Sequence, residues 1–324
     1  MTAVDASPRP AGAVLARLLR DLLPYLGLLL LVVFFSVASD YFFNLRNFQR
    51  LVTDSSTLIV VALGMTMVIL VAEIDLSVGA VVSLLSVLLA QIMAAGFAWP
   101  VAVAATLLLS VGIGLINGAI TVLGRIHSFI VTLGMFSVAT GLAYIFTGAI
   151  SVPIMNVVYL DLFYSDTFMG VPVPLMIVIL AFAICLLLLY RTAFGRELFA
   201  LGANPEAARL SGVPVRRDKI LVFVIMGVLV GIGTVLSASR LGSGAPGSSP
   251  QLTLDAIAAV IIGGASLFGG RTSILRTLLG ALVIGVLNNG MVLLNINVDS
   301  QYTVKGVIIL IAVVLERIAS GTRP

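Results

Sequence analysis

The chain has 324 residues, of which 60% are hydrophobic and 10% charged, and its formal net charge is +4. A water-soluble domain carries about 25% charged residues, so this composition excludes one and describes a polytopic α-helical membrane protein. The positive charge sits in the loops between apolar runs and does not make a nucleic-acid-binding surface.

Residues 1–21 are polar and hold Arg9, Arg17 and Arg20 ahead of an apolar run from Leu22 to Ala38. The pattern imitates a secretory leader, with Val37-Ala38-Ser39 in place of a cleavage site. The run is longer than a leader's apolar core and further runs follow it, so it reads as an uncleaved first span. Apolar runs predict spans at 22–39, 57–72, 78–95, 100–123, 127–147, 174–190, 219–239, 254–268, 274–295 and 301–317. An even number of spans puts both termini on one side. Of the 18 basic residues, fourteen then share the side of the termini, three (Arg46, Arg50, Arg240) lie opposite, and Lys305 falls inside the last span. That asymmetry makes the termini cytoplasmic. The domain plan is an N-terminal segment 1–21, a membrane domain 22–317 and a tail 318–324. Lys305, near the outer end of its span, is placed to snorkel to the interface.

Two places break the apolar pattern. Glu73-Ile74-Asp75-Leu76-Ser77 puts three polar residues between two short spans, without a turn-forming glycine or proline. It is either a cytoplasmic turn or an unwound stretch lining a polar cavity. Leu241–Leu254 is a Gly-, Ser- and Pro-rich loop, and Asp255 beyond it suits the cap of the next helix. A short internal echo, Gly114-Leu115-Ile116-Asn117-Gly118 against Gly285-Val286-Leu287-Asn288-Asn289-Gly290, joins span four to span nine. These correspond if five spans repeat with inverted topology, an arrangement that sets the pathway at the repeat interface. Asp75, Ser77, Asn117, Asn288 and Asn289 are the candidate pathway residues. Asparagines within apolar helices also serve as hydrogen-bonded packing contacts.

Loop 191–218 is the one long polar segment between spans, with Arg191, Arg196, Arg209, Arg216 and Arg217 inside it and Lys219 just beyond. A helix of about two turns is written into it. Asn204 is a good N-cap, Pro205 fits the first helical position and Glu206 suits the positive helix end. Gly212 can take the left-handed C′ conformation, and Pro214 bars continuation. So short a helix is not stable alone in water. It rests either on its own membrane domain or on a partner.

Chemistry-bearing motifs are scarce. The single His127 flanks a predicted membrane edge, and with the single Cys185 it forms neither a metal site nor a catalytic triad. Gly264–Thr272 imitates a phosphate-binding loop, but Gly270 stands where its lysine belongs. ATP hydrolysis by this chain, and a membrane-embedded enzyme generally, therefore lack support. A self-contained secondary transporter or channel is the alternative to an ATP-driven one. It would need a coupling-ion site, for which Glu73 and Asp75 are the available carboxylates.

The chain resembles the permease subunits of bacterial ABC sugar importers of the ribose, xylose and galactose type, from about Leu45 to Leu315. The resemblance rests on GMTMVILVAEIDLSVGAVVSL (64–84), NGAITVLGRIHSFIVTLGM (117–135), TAFGRELFALGANPEAARLSGV (192–213), LDAIAAVIIGGASLFGGRTSI (254–274), LLGALVIGVLNNG (278–290) and Tyr302 to Gly306. Ala72-Glu73 departs from the two glycines usual in relatives. The resemblance implies an inner-membrane permease that pairs with a second permease, identical or not. A periplasmic binding protein would deliver a monosaccharide, and ATP-Mg would be bound and hydrolysed on a separate cytoplasmic ATPase, leaving this chain without a cofactor. It also implies that Glu206, Ala207, Ala208, Arg209 and Gly212 form the loop motif that docks on the ATPase.

Overall fold

The computed structural model of the chain describes residues 11–165 and 167–320. Parts of the predicted terminal segments 1–21 and 318–324, and Asp166 of the loop 148–173, lie outside the described residues. A backbone in hydrocarbon must satisfy its polar groups internally, and each apolar run is accordingly helical. The helices are α1 (Ala11–Ala38), α2 (Leu45–Leu70), α3 (Val78–Ala94), α4 (Trp99–Leu123), α5 (Ser128–Thr147), α6 (Val157–Leu160), α7 (Val173–Arg191), α8 (Ala193–Ala203), α9 (Pro205–Leu210), α10 (Val215–Leu241), α11 (Leu252–Ile262), α12 (Ile274–Leu293) and α13 (Val298–Ser320). Among the described residues, six helices (α2, α4, α5, α7, α10 and α12) are long and apolar enough to cross a membrane.

Two helices depart from the predicted spans for visible reasons. α2 begins at Leu45 rather than near residue 57, because the Asn44 side chain caps it by accepting from the Arg46 N–H at 2.9 Å. The polar residues Arg46, Arg50 and Asp54 therefore lie on the helix, not in a loop. α11 stops at Ile262, six residues short of the predicted end, where Gly264 turns the chain with φ +79°. Its 11 residues rise about 16 Å, half the thickness of a bilayer core.

The core is built on α2 and α10. α2 is buried along nearly its whole length from Leu51 to Leu70 and packs against α7, α10, α11 and α12. α10 packs against α4, α2 and α3. The α4–α10 seam is close because small residues face each other. A Cβ on Gly118 would sit 3.0 Å from the Phe223 Cβ, and one on Gly227 would sit 2.5 Å from the Ser110 carbonyl oxygen. Small residues give helices this approach where no solvent drives them together.

The two ends of the bundle differ. At one end the predicted loop 148–173 is ordered by short pairings. β1 (Val152–Pro153) pairs antiparallel with β4 (Ser243–Gly244), and β2 (Thr167–Phe168) with β3 (Val171–Pro172). α6 leads into a π-helical turn, Asp161–Ser165. Tyr159 anchors this cap: it is fully buried and its hydroxyl donates to the Val235 carbonyl at 2.7 Å. Phe163 meets the Trp99 ring edge-on at 5.8 Å. The opposite end carries α8, α9 and the start of α10. α8 goes beyond the single short helix predicted in this loop; Thr192 caps it by accepting from the Gly195 N–H at 3.2 Å.

Candidate functional site: an interrupted helix pair and its supports

The chain between α2 and α3 is unwound from Val71 to Ser77, and its backbone is satisfied by α5. The Ile74 N–H donates to the Ser128 hydroxyl at 3.1 Å, and the Leu76 N–H to the Thr132 hydroxyl at 3.0 Å. Irregular backbone at membrane depth requires such partners. Asp75 is buried, and one of its oxygens accepts from both the Ser77 N–H (2.9 Å) and the Ser77 hydroxyl (2.6 Å). Asn117 of α4 donates to the Ser77 hydroxyl at 3.1 Å, and its own carbonyl oxygen has no partner among the described residues. Asp75, Ser77 and Asn117 thus form one polar cluster, lining a cavity with Ser110, Gly114 and Gly227. The cavity holds about 10 Å³, room for a single water at most. A polar solute does not fit there in this conformation.

The start of α3 meets the start of α11. The Gly79 N–H donates to the Thr253 hydroxyl at 2.9 Å, and the Ser249 N–H donates to the Ser83 hydroxyl at 3.2 Å. Two interrupted helices therefore present their N-terminal ends to one another. Asp255 does not cap α11, whose preceding residue is Gln251. Its carboxylate pairs with Lys305 of α13 at 3.0 Å, and both residues are buried. Lys305 therefore does not snorkel: the pairing offsets the cost of burying its charge.

The remaining pathway candidates lie elsewhere. Asn289 and Asn47 exchange side-chain amide hydrogen bonds at 2.9 and 3.0 Å, tying α12 to α2. This is the packing role of a membrane asparagine. Asn288 is half-buried, its carbonyl oxygen has no partner among the described residues, and it does not line the cavity.

Glu73 forms an ion pair with Lys219, in the first turns of α10. Neither its sequence position nor the 146-residue separation gave a signal for this pairing. The same region is braced by glycines. The Gly270 N–H donates to the Leu70 carbonyl at 2.9 Å, and a Cβ on Gly202 of α8 would sit 2.7 Å from the Gly270 nitrogen. The ends of α2 and α8 and the turn before α12 meet there at backbone contact.

α9 has the ends its sequence predicts. The Asn204 carboxamide oxygen accepts from the Glu206 and Ala207 N–H groups at 3.1 and 3.0 Å. Gly212, with φ +84°, closes a Schellman turn in which the Val213 N–H donates to the Ala208 carbonyl and the Gly212 N–H to the Arg209 carbonyl. Of the predicted docking residues, one is covered by the chain's own bundle. Ala208 is 4% exposed and faces its own domain, so α9 is seated on the bundle rather than held by a partner alone. Glu206, Ala207 and Arg209 face outward with Leu210, which is 76% exposed. Leu210 was not among the predicted docking residues; a leucine on a two-turn polar helix was the available signal. Arg209 hydrogen-bonds Glu206 and holds its carboxyl below the ordinary value.

A bundle of apolar helices with two of them interrupted, and with a short capped helix projecting from one end, defines a multi-pass membrane transport subunit. The chain belongs to the family of branched-chain amino acid transport system / permease components, whose profile matches residues 47–313. It is 38% identical to the ribose import permease protein of Bacillus subtilis (strain 168), over 91% of this chain and 92% of that one. It is 42% identical to a probable ABC transporter permease protein of Escherichia coli (strain K12), over 88% and 85% of the two chains. The D-allose transport system permease protein of Escherichia coli (strain K12) is 34% identical, over 90% of each. No solved structure matches the chain.

Proposed function

We propose that this chain is the membrane permease of an ATP-driven importer that passes a monosaccharide delivered by a periplasmic binding protein. In this reading it has ten transmembrane helices in two inverted five-helix repeats, with both termini cytoplasmic. It works beside a second permease, and ATP is hydrolysed on a separate ATPase. The sugar class is supported by near full-length identity to permeases named for ribose and D-allose.

The observation that carries the transport reading is the meeting of α3 and α11 through Gly79 and Thr253. Interrupted helices facing one another across a repeat interface are how transporters build a pathway near the membrane centre. The packing supports the repeat. Shifting by five spans turns the α4–α10 contact into the α12–α2 contact, and α3–α5 into α11–α13; all four occur. The secondary-transporter alternative needs carboxylates free to bind a coupling ion, whereas Glu73 is engaged by Lys219 and Asp75 by Ser77.

The outward face of α9 (Glu206, Ala207, Arg209, Leu210) is the docking surface for the ATPase, with Gly212 setting its end. Movement there has two routes to the unwound 71–77 stretch: the Gly202–Gly270–Leu70 contact and the Lys219–Glu73 ion pair. The test is recovery of the ATPase with the tagged permease. Leu210→Ser and Ala207→Trp are expected to lower recovery and sugar uptake at least fivefold, with unchanged permease in the membrane. Normal recovery and uptake with both variants would remove α9 from the interface.

A further inference from the structure

At the end of the bundle that carries α9, a second cavity opens between the α4–α5 turn and the start of α10. It has a volume of about 560 Å³ and is lined by Glu73, Thr121, Arg125, His127, Arg216 and Lys219, among others. That size is in the range of small-molecule sites. Its electrostatics are one-sided. Three cations face one carboxylate, and that carboxylate is already engaged by Lys219. Counting His127 as neutral, two positive charges remain. Among the described residues, neither Arg125 nor Arg216 stands in an ion pair; the neighbouring acids Asp218 and Glu197 are taken by Arg217. Two helices add to the field: α5 begins at Ser128 and α10 at Val215, both at the rim, and helix N-termini favour anions.

A further feature points to a ligand. Thr121 lines this cavity and is 6% exposed, yet its hydroxyl has no partner among the described residues. A buried hydroxyl without a partner is costly. The serines and threonines of the neighbouring break, Ser77, Ser128 and Thr132, all have partners. The Thr121 and Thr272 hydroxyls are the buried ones without a partner among the described residues, and Thr121 lies on the wall of this cationic cavity.

We propose that this cavity binds a phosphate group. Arg125 and Arg216 supply the guanidinium forks that match phosphate oxygens, Thr121 donates its unpaired hydroxyl, and Lys219 contributes charge shared with Glu73. The two uncompensated positive charges match a phosphomonoester dianion and also attract the phosphodiester monoanion of an acidic phospholipid. The group can come from an acidic phospholipid or from a soluble phosphate ester; the recognition chemistry is common to both. The site is separate from the Asp75–Ser77–Asn117 cluster and does not depend on which solute the chain moves.

The test has two arms on the full-length protein. In the first, inorganic phosphate and ribose 5-phosphate, with ribose as control, are titrated calorimetrically into the permease in nanodiscs of zwitterionic lipid. In the second, native mass spectrometry follows acidic phospholipid retained by the detergent-solubilised protein. The double variant Arg125→Gln/Arg216→Gln, at two exposed positions, is expected to weaken binding by roughly tenfold or more. Thr121→Val is expected to weaken it roughly two- to tenfold. Phosphate binding in the first arm that the double variant loses assigns a soluble ligand. Lipid retention in the second arm that the double variant loses assigns a lipid headgroup. If neither arm separates the parent protein from the double variant, the proposal is overturned.

Discussion

Ala72 has φ +58°, in the left-handed region, between the last turn of α2 and Glu73. A Cβ in that conformation costs about 1–2 kcal/mol. Glycine would relieve the strain and partly return the gain through the entropy of the unfolded chain. Ala72→Gly is therefore expected to leave thermal stability unchanged or raise it by up to about 1 kcal/mol, the reverse of its effect within a helix. Unfolding of the purified permease checks this, and a clear loss of stability would contradict the backbone argument. The neighbouring Glu73 shows the limits of reading residues alone. Its position in the break is plain in the sequence, whereas its partner Lys219 belongs to another helix and is found only by folding.

α9 is the element whose local chemistry is most fully written in the chain, since its cap, its first-turn proline and acid, and its terminal glycine act within a few residues of each other. What the local pattern does not contain is which face turns inward. Ala207 and Ala208 are equivalent by propensity, yet only Ala208 is covered by the bundle. Substitution should separate the two faces. Ala208→Trp overpacks the seat and is expected to destabilise the permease by about 1–3 kcal/mol, read as a lower unfolding temperature. Leu210→Ser should leave that temperature unchanged and act only on the partner. Equal stability of the two variants would mean that α9 has no seat of its own. α8 escaped prediction because its apolar residues Phe194, Leu198 and Leu201 are interleaved with Arg196 and Glu197, which read as loop polarity.

For the whole molecule, apolar runs reveal where helices lie, because hydrocarbon leaves the backbone no alternative. They say little about which helices touch. The Asn47–Asn289 pair spans 242 residues and the Asp255–Lys305 pair 50, and nothing local specifies either. The second pair is open to a double test. Lys305→Met leaves a buried carboxylate without its counter-charge and is expected to cost about 3–5 kcal/mol, most of it recovered in Lys305→Met/Asp255→Asn. Thermal unfolding of the single and double variants decides this, and a single variant as stable as the parent would refute the pairing.

The cap over the other end has a practical consequence. Trp99 is the only tryptophan of the chain, and it stands at the head of α4 with the Phe163 ring against it. Phe163 belongs to the turn that Tyr159 pins to α10. Excited at the long-wavelength edge of indole absorption, where its seven tyrosines do not absorb, the unlabelled permease therefore emits from one indole, and that indole lies at the seam between the cap and the bundle. If the cap lifts when a delivery protein docks, the indole loses its aromatic neighbour and meets solvent. The protein thus carries its own optical gauge of that movement, without an introduced dye.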